Sequence, residues 1–147
     1  MIIKKVEGIM EYKFNFEGKE YILGEDNLEY FVNDENEPLE GIDYKKVLEI
    51  LNKSNEVDFQ KAYCESYCSQ CRYGKEEKKK YFDFLEFYFY VYGKNNKYVT
   101  SSIDDEYDKK SFTKLNREGI VDKSYLLTIM VCKNCGTYSI EIEEFEV

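Results

Sequence analysis

Two C-x-x-C pairs stand 60 residues apart in a chain that contains no histidine. They are Cys68-Ser69-Gln70-Cys71 and Cys132-Lys133-Asn134-Cys135. Two-residue spacing lets the backbone turn so that both thiolates of a pair face one point, with backbone N–H groups aimed at the sulfurs. Four thiolates complete the tetrahedral donor set that structural zinc prefers. The absence of histidine removes every histidine-liganded metal site, the usual general base and the Ser-His-Asp arrangement. Three readings of the pairs follow: one metal ion on Cys68, Cys71, Cys132 and Cys135, a redox dithiol, or coincidental spacing. Under the first, the ion clips together two distant parts of one fold.

Gly136 follows the second pair, where a tight knuckle uses positive φ. A strand enters at Val131 and another leaves at Thr137. The run VCKNCGTYSIEIEEF, taken with Cys68–Cys71, resembles the knuckles of a zinc ribbon. The whole chain resembles a small family of uncharacterised bacterial proteins of AT-rich Gram-positive anaerobes, a domain of unknown function, and this resemblance implies no activity. Two departures from a plain ribbon stand out. The pairs lie much farther apart than the about 15–20 residues of common zinc-site spacing. The first knuckle reads Cys71-Arg72-Tyr73-Gly74, with no glycine directly after the pair. Cys64 adds a fifth thiol, and a continuous helix would align Cys64, Cys68 and Cys71 on one face. It is either a small buried apolar residue or an exchangeable resolving thiol.

Acidic side chains number 30 against 21 basic ones, a formal net charge of −9. The first 71 residues hold 8 basic and 16 acidic side chains, and the remainder 13 and 14. A nucleic-acid binder presents a basic field because phosphate contacts dominate its affinity. This field repels nucleic acid and anionic membrane instead. The opening MIIKKVEGIMEYKF shows neither a signal-peptide apolar core nor a small-residue cleavage site. The longest apolar runs, Phe84–Tyr92 and Tyr125–Cys132, are strand-sized. A cytoplasmic chain is expected, and reduced thiols there bind metal more often than they form disulfides.

Aromatic residues reach 17% and proline occurs once, which excludes a disordered or low-complexity chain. Tyr12, Phe14 and Phe16 alternate with polar residues, Glu17-Gly18 makes a turn, and Tyr21 and Leu23 return: a hairpin over residues 10–23. Asn33–Gly41 reads as a loop. Asp43 caps a helix whose stripe is Tyr44, Val47, Leu48 and Leu51. Asn55 with Asp58 suggests a second short helix burying Phe59, Ala62 and Tyr63. Residues 81–92 form a strand with Leu85, Phe87, Phe89 and Val91 on one face and Tyr88, Tyr90 and Tyr92 on the other. A turn at residues 93–96 leads to a return strand at 97–101, and Ser111 caps a helix ending at Gly119. Tyr125–Cys132 is a strand, as is Thr137–Val147, where Glu143-Glu144 signals a bulge or the strand's exit. The expected class is α+β: antiparallel β hairpins and sheet, two or three short helices, and a zinc-ribbon-like four-cysteine site joining distant segments of one domain spanning residues 1–147. Its expected core holds Phe14, Phe16, Val47, Leu48, Leu51, Leu85, Phe87, Phe89, Leu127 and Ile129.

Weaker signals favour packing over chemistry. Lys75–Lys80 and Lys109–Arg117 are read as solvated surface, given the acidic chain. The tyrosine face is read as an aromatic ladder or second buried face. Asp104, Glu106 and Asp108 open like a calcium loop, but Lys109 replaces the required Gly and Leu115 the required Glu. No phosphate-binding glycine loop or G-x-S-x-G is present. The functional expectation is a small cytosolic zinc-binding protein, a non-enzymatic module that engages a protein partner, with no nucleic acid, no membrane and no catalytic residues. The alternative is a thiol-based redox or zinc sensor using the same cysteines plus Cys64. Metal loss is expected to loosen Thr137–Val147 and Cys64–Gly74 before the Tyr12–Leu23 hairpin.

Overall fold

The computed structural model describes residues 10–146. Strands β1 (Tyr12–Phe16) and β2 (Lys19–Leu23) form the expected hairpin. Glu17 and Gly18 both take positive φ, 50° and 84°, as a two-residue turn matched to strand twist requires. Six further strands build one sheet: β3 (Leu28–Val32), β4 (Gln60–Cys64), β5 (Phe82–Lys94), β6 (Lys97–Ser101), β7 (Lys123–Cys132) and β8 (Tyr138–Glu144). The order is β3-β8-β7-β5-β4, with β6 also on β5. Helix α1 (Tyr44–Lys53) starts where Asp43 accepts a hydrogen bond from Lys46 N, and α2 (Phe112–Arg117) where Ser111 accepts one from Lys114 N. The class is α+β with two helices among the described residues, and most pairings are antiparallel.

β5 and β7 form the spine, paired from Phe84↔Cys132 to Gly93↔Lys123. Their inward residues Leu85, Phe89, Val91, Leu127, Ile129 and Val131 are buried together with Ile140 and Ile142 of β8. Val47, Leu48, Ile50 and Leu51 of α1 and Tyr21 and Leu23 of β2 complete the same apolar cluster. Seven of the ten expected core residues are fully buried. Phe14, Phe16 and Phe87 are half-buried, packed against the cluster rather than inside it. Phe14 lies flat on Phe59, with ring centroids 4.1 Å apart.

Two elements differ from expectation. Residues 59–63 are not helical; Gln60–Cys64 is the edge strand β4, antiparallel to Phe82–Glu86. β5 is 13 residues long, and its second edge is shared by β4 at one end and β6 at the other. An available strand edge outweighs a weak capping signal over so short a segment. Phe59 is buried, whereas Tyr63 is 65% exposed, so the expected helical stripe does not exist. β3, a segment to which the sequence assigns no element, pairs in parallel with β8. The strand expected at Thr137–Val147 ends at Glu144, leaving the sheet with no register shift against β7. Val147 lies outside the described residues. The tyrosine face divides: Tyr92 is buried with Leu115 and Val121, Tyr90 packs on Phe145, and Tyr88 is exposed. Among the described residues, no helix is long and apolar enough to cross a membrane.

Candidate metal centre

The sheet order explains how cysteines 60 residues apart meet. The β4–β5 connection and the β7–β8 connection leave the sheet at the same end, because β5 and β7 are neighbours and Phe84 pairs with Cys132. The β4–β5 connection, residues 65–81, carries Cys68 and Cys71. The β7–β8 turn carries Cys132 and Cys135. One hairpin end therefore folds over the other.

Each pair closes the same turn. Arg72 N donates to Cys68 O at 2.8 Å, and Gly136 N donates to Cys132 O at 2.9 Å. Gln70 N points at Cys68 Sγ at 3.4 Å, and Cys135 N at Cys132 Sγ at 3.5 Å. Arg72 and Gly136 hold equivalent places and both have positive φ, 55° and 83°. The residue directly after each pair thus needs the left-handed region, which Gly136 meets without strain and Arg72 meets with it.

The four sulfurs lie within 4.8 Å of one another. Cys68 Sγ and Cys135 Sγ are 3.7 Å apart, as are Cys71 Sγ and Cys132 Sγ. A tetrahedral ion with bonds of about 2.3 Å sets its sulfurs roughly 3.8 Å apart, so the donor set fits such an ion. Cys68 and Cys132 are buried, Cys71 is half-buried and Cys135 is exposed. In the thiol form, burial pushes the Cys132 and Cys68 thiols above the ordinary range. Burial acts the same way on Cys71, but hydrogen bonds from the Asn134 amide, the Tyr73 backbone and neighbouring thiols outweigh it and lower the group to about 7. Asn134 Nδ2 reaches Cys71 Sγ at 3.4 Å, one knuckle supporting the sulfur of the other.

The second knuckle is bolted to the N-terminal hairpin. Tyr21 OH donates to Lys133 O at 2.7 Å, Lys19 Nζ donates to Asn134 O at 2.9 Å, and Lys133 pairs with Glu17 at 3.1 Å. Asn27 Nδ2 donates to Gly136 O at 2.9 Å, and Tyr138 OH to Gly24 O at 2.9 Å. The first knuckle has looser support: Ser69 Oγ donates to Glu29 Oε2 at 2.5 Å, and Tyr67 meets Phe82 edge-on at 5.9 Å.

All four paired cysteines converge, and Cys64 does not join them. It sits half-buried at the end of β4, and burial followed by the Glu86 carboxylate raises its thiol. The alignment of Cys64 with Cys68 and Cys71 fails because the segment is a strand and then a turn, not a helix. Of the supporting residues, Asn134 stands inside the second C-x-x-C pair, whereas Tyr21, Lys19 and Asn27 carry no motif. Only the folded topology reveals them.

Residues 12–147 match the model of a family described as Protein of unknown function (DUF3785), and the chain belongs to that family. No curated protein and no solved structure matches it.

Proposed function

We propose that this member of an uncharacterised family is a small cytosolic zinc protein, in which the ion is structural and the fold serves as a non-enzymatic platform for a protein partner. The observation that carries the metal reading is the convergence of four sulfurs from two separate hairpin ends at tetrahedral spacing. The all-thiolate set favours zinc and disfavours magnesium or calcium, which take oxygen ligands. When bound, zinc would hold the residues 65–81 connection against the β7–β8 turn. Four protein ligands leave no open position for substrate or activated water, which supports a structural role over a catalytic one.

The sensor alternative is weaker on geometry. It needs Cys64 as a ready nucleophile beside the cluster. Cys64 stands apart from the four sulfurs, and its raised thiol is a poor thiolate source. The test is elemental analysis of protein purified without tags or chelators, joined to X-ray absorption at the bound metal. The proposal expects one zinc per chain with four sulfur neighbours at about 2.3 Å. Fewer than four sulfur neighbours, or a chain that folds identically and takes up no zinc, would refute it.

A further inference from the structure

We propose that the groove on the outer face of the sheet, beside the cysteine cluster, docks an extended lysine-rich segment of a protein partner. The inference deepens the platform reading above and rests on it for the partner's being a protein. Among the described residues, none that belongs to a helix lines this groove. Phe84, Thr128, Met130, Tyr30, Tyr67 and Glu141 line a groove of about 380 Å³. Tyr30 and Tyr88 add exposed rings to the same face, at 41% and 55% exposure.

Charge selects the occupant. Glu29, Glu86, Glu141 and Glu143 all belong to β3, β5 and β8. Among the described residues, none of the four has a lysine or arginine within ion-pair distance, although Glu144, also on β8, pairs with Lys123. Two of the four are held by neutral hydroxyls instead: Tyr30 OH donates to Glu141 Oε2 at 3.0 Å, and Ser69 Oγ to Glu29 Oε2. Carboxylates fixed in place and left without counter-charge are ready acceptors for ammonium groups. Glu141 and Glu143 repeat about 7 Å apart along β8, the spacing of alternate side chains in an extended peptide. One ring of the groove already accepts a cation: Lys75 Nζ lies 5.1 Å from the Tyr67 centroid. Zinc on four thiolates adds a net −2 at the end of the groove. A nucleic acid is repelled by the same charges.

The test is fluorescence anisotropy with the full zinc-loaded chain and a labelled peptide of alternating lysine and valine, seven residues long. Binding is expected, weakening with salt. Glu29→Lys with Glu141→Lys should weaken it at least tenfold, and Glu141→Gln should weaken it partway. Glu20→Lys, the same kind of charge change on the separate β1–β2 sheet, should change it less than twofold. Absence of binding overturns the proposal, as does equal loss with Glu20→Lys, which marks an unspecific field. A chain that self-associates, and that Glu29→Lys with Glu141→Lys disperses to monomers, also overturns it by making the groove a contact between copies. Zinc content is measured on the same samples. A zinc-loaded chain that ignores the peptide loses the groove and keeps the structural ion; a zinc-free chain that binds it keeps the groove and loses the ion.

Discussion

Arg72 and Gly136 occupy the same place in the two knuckles, with the same left-handed backbone and the same N–H bond back to the first cysteine. An L side chain in that region costs about 1–2 kcal/mol, partly offset because glycine loses more chain entropy on folding. Arg72→Gly should therefore be neutral or stabilising by up to about 1 kcal/mol in urea unfolding of the metal-loaded protein. Gly136→Ala meets no atom within 4 Å, so its expected loss of about 1–2 kcal/mol is backbone strain alone. Thiol chemistry separates the cysteines in a different way. In chelated protein near pH 7, Cys71 and Cys135 should be alkylated before Cys68 and Cys132, read by peptide mass mapping. Cys71 has the lowered thiol, Cys135 is exposed, and the other two are buried. The sign for stability follows: a thiol lowered to about 7 in the fold helps the metal-free protein above the unfolded thiol's range, and that help fades as pH falls through about 7.

At the level of elements, close approach decides what the strands tolerate. A Cβ on Gly93 would lie 2.6 Å from Leu39 Cδ1 and 3.0 Å from Lys97 O, beside the register shift in the β5–β6 pairing. Gly93→Ala should lower stability by about 1–3 kcal/mol through overpacking, seen as a lower denaturation midpoint with unchanged slope. Tyr21→Phe should cost about 1 kcal/mol by leaving Lys133 O without its hydroxyl donor. Elements with strict alternation or a cap were legible in the sequence: the β1–β2 hairpin, α1 behind Asp43, β5 and β7. β3 and β4 were not. Both are five-residue edge strands whose identity comes from the neighbour they pair with, β8 in parallel and β5 antiparallel, and local sequence does not specify a partner. The four converging cysteines were legible because spacing alone suggests a shared ion. Their support from Asn134, Asn27 and Tyr21 was not, because those bonds form only once the hairpin ends have met.

For the whole molecule, the question is which part depends on the metal. The expectation from sequence is that Thr137–Val147 and Cys64–Gly74 loosen before the Tyr12–Leu23 hairpin. The topology narrows it. β8 lies between β3 and β7 and is paired from Tyr138↔Val131 to Glu144↔Tyr125, so it keeps its ladder without an ion. The residues 65–81 connection has no such ladder. Its backbone bonds are local turns, Arg72 N to Cys68 O, Lys75 N to Arg72 O and Lys78 N to Lys75 O. An ion that joins it to the β7–β8 turn closes a long loop, and binding confined to the folded form becomes folding free energy of several kcal/mol. Chelation should therefore release residues 65–81 first, while β5, β7 and β8 and the β1–β2 hairpin hold. Hydrogen exchange should show early loss of protection at Arg72 and little change at Ile129 and Ile140. Cys135→Ser should reproduce that pattern with metal present, and Cys64→Ser should not. Protons compete for the four thiolates, so the same release should occur as pH falls, with zinc freed in step with exchange at Arg72. Uniform loss of protection across the sheet on chelation would show the ion to be a requirement for the entire fold. No loss at Arg72 would show that the sulfurs meet without needing one.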